Sequence, residues 1–357
     1  MRQRIPRPAT RSTALPAVLA TAATLSAIGS AGPARAERAF DSAVYTMPVD
    51  GYGLVLVDRA RTPERFEFGL RAQGGFSYTP LRLNLNDARM GYSEQPFRVI
   101  EQQYTLDVGF FLGLFDFLSI AAAVPVAVGV YDSNAAGEPV VPAPPNPTNP
   151  AAMAPTSATG LLANQPRQNL GISRAGLRDP RLSLKLRFYG GRYFEIGSVL
   201  EATLPLGDSS SFLGEHSATF RPRLVLGALI KRVDVLLSFG GIVRETATLN
   251  EPSPPMGTEP PIRLQVAHEL TFGAAIVARA HRTFGLGVEA AGTLPVAGEA
   301  TQPTATALGS LFILPHEKLR LSLSGGGGLI SSSARNAEGR VLLGMSYSLS
   351  PRLGGLL

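Results

Sequence analysis

The chain has no cysteine and no tryptophan, and only 17% of its 357 residues are charged. Without cysteine there is no disulfide framework, no thiolate nucleophile and no cysteine-ligated metal. The four histidines, His216, His268, His281 and His316, have no metal-ligand spacing to one another or to a carboxylate cluster. No serine has a base placed beside it, so no catalytic constellation is legible, and neither an enzyme nor a cofactor is expected. A basic excess is missing too, once position is considered. The formal charge is +6, but Arg2, Arg4, Arg7, Arg11 and Arg35 fall in the first 36 residues, which hold no acid. Taking these five from the 33 basic residues leaves 28 against 27 acidic ones. A mature chain of about +1 implies no nucleic-acid partner.

What is present begins with a leader. Arg2 to Arg11 form a positive n-region, Ser12 to Ala31 an uncharged Ala/Leu-rich stretch, and Ala34-Arg35-Ala36 an A-x-A cleavage site. Residues 1–36 therefore read as a secretory signal peptide, with the mature chain starting near Glu37. Residues 37–63 are expected to be a periplasmic lead-in. Its apolar piece, Leu54 to Val57, has three open readings: a plug, a floor across a barrel, or an edge strand.

From residue 64 the chain settles into a rhythm. Twelve stretches place apolar residues on alternate positions, and short turns alternate with longer polar loops. Between Arg65 and Tyr78, for example, Phe66, Phe68, Leu70, Ala72, Phe76 and Tyr78 share one face, while Arg65, Glu67, Arg71, Gln73 and Ser77 share the other. A period of two is a strand signal. Strands of this length cross a bilayer at a tilt. Val108 to Tyr131, with Asp116 as its one charge, is also long enough for a membrane helix. Its glycines, Pro125 and the alternation just upstream favour a hairpin turning at Asp116.

The fold class expected is all-β: a transmembrane antiparallel up-and-down β-barrel of about twelve strands over residues 64–350, with a tail at 351–357. Spanning strands must close on themselves, because hydrocarbon offers no partner to an open edge. Both ends would then be periplasmic, with short turns on that side and long loops outside. Residues 80–98 and the Pro-rich 247–261 are expected as loops. So is 132–176, which holds eight prolines and is read as a disordered extracellular loop or a folded constriction. With tryptophan absent, an interfacial girdle would come from Phe66, Tyr78, Phe188, Tyr189, Tyr193, Phe194, Phe220, Phe284, Phe312 and Tyr347.

The alternation nominates lumen-lining side chains. The cations are Arg65, Arg71, Arg181, Lys185, Arg187 and Arg223; the acids are Glu67, Asp107, Glu195, Glu201, Glu269 and Glu289. Around Gly191, a register pairing Tyr189 with Tyr193 would set Arg187 opposite Glu195 and Arg181 opposite Glu201. These residues either brace neighbouring strands or line an aqueous path. Their near-cancelling charge favours bracing.

Several stretches resemble the N-terminal barrel module of OmpA-like outer-membrane proteins of the δ-proteobacterial type. They are Pro48-Val49-Asp50-Gly51-Tyr52-Gly53, Tyr78-Thr79-Pro80-Leu81, Gly176-Leu177-Arg178-Asp179-Pro180-Arg181-Leu182, Leu204-Pro205-Leu206-Gly207 with Phe212-Leu213-Gly214, and Arg340 to Tyr347. Arg178 stands where the family motif has a second glycine. The phenol-degradation outer-membrane channel family is similar more loosely, on Gly-Leu-x-Asp-Pro. The OmpA-like resemblance implies an outer-membrane barrel, often followed by a peptidoglycan-binding domain that is not legible before Leu357. The function expected is a passive, porin-like channel or a structural envelope protein. The alternative is a surface-binding or adhesion protein acting through its long loops. Expected partners are outer-membrane lipid, lipopolysaccharide and small solutes, with a monomer favoured.

Overall fold

A computed structural model describes residues 47–87, 92–131, 176–207, 213–215, 217–250, 263–296, 302–316, 318–330, 333 and 335–349. The leader 1–36, loop 132–175 and tail 351–357 lie outside them. Among the described residues the strands are β1 Phe68–Asp87, β2 Tyr92–Phe115, β3 Leu118–Tyr131, β4 Gly176–Leu177, β5 Arg181–Gly190, β6 Phe194–Thr203, β7 Thr219–Ile230 and β8 Val233–Ile242. They continue with β9 Ala247–Asn250, β10 Arg263–Val266, β11 Glu269–Ala278, β12 Phe284–Pro295, β13 Thr304–His316, β14 Leu319–Gly328 and β15 Gly339–Leu349.

Twelve of these are the staves of one closed antiparallel barrel. β1 pairs with β2 on one side and β15 on the other, so the sheet has no free edge. β4 is a two-residue step ahead of β5, and both pair with β3. β9 and β10 form a small hairpin outside the ring. The wall is dictated by the alternation. On β11, Leu270, Phe272 and Ile276 are exposed while Glu269, Ala275 and Val277 are buried. The same inversion of a soluble protein runs round the ring, through Leu70, Val108, Phe110, Leu286, Val288 and Leu343. An exposed apolar band of this extent marks a hydrocarbon-facing surface.

Val108 to Tyr131 forms the β2–β3 hairpin, with Val108 opposite Val124, Leu112 opposite Ile120, and a turn at Asp116-Phe117. No helix among the described residues is long and apolar enough to cross a membrane. Pro125, inside β3, lacks a ladder donor. The chain steps out opposite it at 178–180, and the Arg178 amide donates to the Pro125 carbonyl at 2.9 Å.

Several expectations are corrected. Residues 80–98 are not simply a loop: β1 and β2 stay paired from Leu81–Ile100 up to Asp87–Tyr92, a tall hairpin with three register shifts. The 247–261 stretch contributes β9, and the chain after it is broken at Ala267-His268 into β10 and β11. Arg187 faces Gly197, Glu195 faces Gly190, and Arg181 faces Thr203, because the turn falls on Arg192-Tyr193 rather than around Gly191, and a bulge between Arg187 and Tyr189 then moves the register by one. Phe312 is not a girdle residue. It shares parity with Leu308 and Ser310, points inward, and is 3% exposed. Residues 47–63 are not a periplasmic appendage: they lie inside the barrel.

Candidate functional site

Of the three readings of Leu54–Val57, the structure takes the plug. Leu54 to Val57 pack on wall residues Leu236, Ala275, Val277, Ala291, Leu308 and Phe312. Val49 packs on Phe111, Ala121 and Ala123, and Ala60 on Val199 and Val225. These small and branched side chains explain the apolar inner positions that a water-filled pore has no use for.

A segment without regular structure must find partners for its backbone, and here the wall supplies them. Arg71 donates to the carbonyls of Pro48, Asp50 and Leu54 at 2.8–2.9 Å. Arg181 donates to the Met47 carbonyl at 2.7 Å, Lys185 to that of Arg59 at 2.8 Å, and Arg320 to that of Gly53 at 3.0 Å. Three successive amides are served by one carboxylate. Glu289, fully buried on β12, accepts from the consecutive N–H groups of Val55, Leu56 and Val57, the shortest at 2.7 Å. Consecutive amides turned on one anion form a nest. Ser310 Oγ adds a fourth donor at 3.2 Å.

Charge pairs complete the seal. Asp58 meets Arg223 at 3.1 Å and Lys185 at 3.7 Å; Lys185 also pairs with Asp50. Arg59 lies 3.1 Å from both Glu195 and Asp234. Tyr52 donates its hydroxyl to Glu67 at 2.6 Å, and burial, reinforced by that carboxylate, pushes the phenol above its ordinary value. Thr62 donates to the Asp116 carbonyl at 2.6 Å, where the segment leaves toward β1.

The structure places the nominated residues as follows. Glu67, Arg71, Arg181, Lys185, Glu195, Glu201, Glu269 and Glu289 are buried on the inner face. Asp107 and Arg223 are partly buried there: Asp107 pairs with Arg181 at 3.3 Å, and Arg223 with Glu201 at 3.0 Å. Arg187 sits near the short-turn end, donating to the Asp116 carbonyl. Arg65 does not face the lumen. It is exposed in the turn before β1, its guanidinium 4.8 Å from the Phe66 ring centre, because Phe66 at φ 60° breaks the alternation.

A second closure lies at the long-loop end. Arg335 pairs with Glu269, which lies 2.9 Å from Arg244, which in turn lies 2.7 Å from Glu215. The chain of charges ties the connection after β14 to those after β6 and β8. Beside it, Asp179 accepts from the amides of Gly207 at 2.8 Å and Glu215 at 2.6 Å. A Cβ on Gly207 or Gly214 would come within 2.9 or 2.7 Å of the Asp179 carboxylate. The Gly-Leu-Arg-Asp-Pro, Leu-Pro-Leu-Gly and Leu-Gly stretches are thus parts of one loop anchor. Two small cavities, of about 10 and 40 Å³, share Asp107 and Arg178 in their linings. Among the described residues no group of histidine or acidic side chains could hold a metal ion.

The geometry defines a class: a closed twelve-stranded antiparallel membrane barrel with a filled lumen. An outer membrane channel from Pseudomonas putida F1 superposes with a TM-score of 0.55 over 82% of this chain and 100% of that one, at 13% identity. The NanC porin matches at 0.44 over 78% and 100% with 7% identity, and the KdgM porin at 0.40 over 80% and 99% with 8%. The first match shows the fold; the other two are too distant to add to it. No family model matches the sequence, and no curated protein does.

Proposed function

We propose that this chain is an outer-membrane channel held shut by its own N-terminal segment, a gated passage rather than an open porin. The observation that carries this reading is the plug's attachment. Residues 47–63 are non-covalently held in the lumen by side chains on at least six staves, and each bond is one that water could replace. A typical bond of this kind contributes only about 0.5–1.5 kcal/mol net. The short turns would face the periplasm and the long loops the exterior, with lipid and lipopolysaccharide around the barrel and small solutes as cargo.

The test is planar-bilayer conductance of the refolded protein with and without residues 47–62. Full-length protein should open rarely, and the shortened protein should conduct steadily. A shortened barrel that folds, as judged by heat-dependent gel mobility, yet stays silent would reject the channel. One observation favours a second reading, surface binding. β1 and β2 run 20 and 24 residues where β5 and β6 run 10 each, so at about 3.3 Å per residue their hairpin rises well clear of the wall.

A further inference from the structure

The barrel's charge is polarised along its axis. The five short turns carry six cationic and two acidic residues, whereas the six connections at the other end carry seven cationic and ten acidic ones. We propose that the short-turn rim binds the headgroups of anionic phospholipids, such as phosphatidylglycerol, in the leaflet it faces. The proposal rests on the barrel and its orientation, not on whether the lumen conducts.

Four features support it. First, Arg192, Lys231, Arg232 and Arg282 are exposed and pair with no acid among the described residues, unlike Arg279, which is committed to Asp234. Second, Lys231 adopts φ 53° in the two-residue turn Lys231-Arg232. This left-handed position favours Asn or Gly, so a cation stands there against local backbone preference. Third, cations at this end are held against interfacial rings: the Arg192 guanidinium is 5.3 Å from the Tyr193 ring centre, and Arg65 is similarly placed over Phe66. Fourth, the exposed aromatics gather at the same level, among them Phe115, Phe117, Phe188, Tyr189, Tyr193 and Phe284. Such rings mark the boundary between hydrocarbon and headgroups. A cation beside them is within side-chain reach of a lipid phosphate, which makes a headgroup a closer fit than an acidic protein or cell-wall polymer lying beyond the membrane. Charge near an anionic surface adds up residue by residue.

The full-length protein, refolded and equilibrated in mixed micelles of phosphatidylglycerol and phosphatidylcholine, is washed, and its retained lipid is quantified by mass spectrometry. Wild type should retain phosphatidylglycerol preferentially, and added salt should weaken that preference. The variant Arg192→Gln, Lys231→Gln, Arg232→Gln, Arg282→Gln should lose about tenfold or more of it, because all four cations near the headgroups are removed together. The charge-keeping set Arg192→Lys, Arg232→Lys, Arg282→Lys should retain it. Heat-dependent gel mobility confirms folding in each case, so the charge-keeping set still decides if the neutral one fails to fold. No preference in wild type, or an undiminished preference in the folded neutral variant, overturns the proposal. So does wild type that ignores lipid charge yet sediments with peptidoglycan through the same four residues.

Discussion

Glu289→Ala is the sharpest probe of the seal. The side chain is fully buried and accepts the amides of Val55, Leu56 and Val57. Removing it strands three buried donors, each costing about 1–3 kcal/mol when unsatisfied. Water entering the vacated space would recover part of this, so the low end of the range, about 3 kcal/mol in all, is the working figure. At 1.4 kcal/mol per tenfold, the ratio of open to plugged channel should rise on the order of 10²-fold. Because the carboxylate touches the plug and not the membrane, the barrel should still show its heat-dependent mobility. Single-channel recording at fixed salt reads the open probability directly. Glu289→Gln, which keeps one carbonyl acceptor, should fall between. Ser310→Ala, which leaves the three amide bonds in place, should stay near wild type. The reasoning fails if Glu289→Ala opens no more often than wild type while the protein lacking residues 47–62 conducts. It also fails if Ser310→Ala matches Glu289→Ala.

Other consequences can be measured alongside. Glu269→Gln removes the carboxylate shared by Arg244 and Arg335, and breaking a buried pair costs about 3–5 kcal/mol. In the protein lacking residues 47–62, this change should raise conductance further, and an unchanged value would show that the outer charge chain closes nothing. Asp179→Ala should free the segment around Gly207 and Glu215 and speed its cleavage by added protease without altering barrel folding. Equal cleavage rates would count against the anchor. Leu343→Arg places a charge at mid-height on the most exposed part of the wall, 64% exposed. It should lower folding stability in vesicles by about 2–4 kcal/mol, and a neutral effect would put β15 out of contact with lipid.

The wall was readable in the sequence because lipid selects one face of every strand. Leu270, Phe272 and Ile276 repeat at steps that only a strand can serve. The lumen has no such solvent. Leu54-Val55-Leu56-Val57 is apolar on both sides, because wall residues surround it, so its pattern cannot separate a plug from an edge strand. Phe312 was misplaced for a related reason: in Leu311-Phe312-Ile313-Leu314 every position is apolar, and parity is lost. The Arg187–Glu195 pairing failed because the turn falls on Arg192-Tyr193, one step past the glycines that mark it in the sequence. The glycines of the Asp179 anchor were visible as motifs, but their common purpose needed contacts across 28 and 36 residues.

The position of the plug in the chain constrains how the molecule is made. Thr62 is still tied to the β2–β3 turn, and β1 begins at Phe68, so only a few residues join the buried segment to the first stave. The seam that closes the barrel is that between β1 and β15, the first and last staves of the chain. Arg71, whose guanidinium grips Pro48, Asp50 and Leu54, lies within that seam opposite Ser346. Closure and occlusion therefore share a residue. The segment that blocks the passage is thus fastened to the seam that shuts the wall, so a side chain that holds the cask closed also holds its bung.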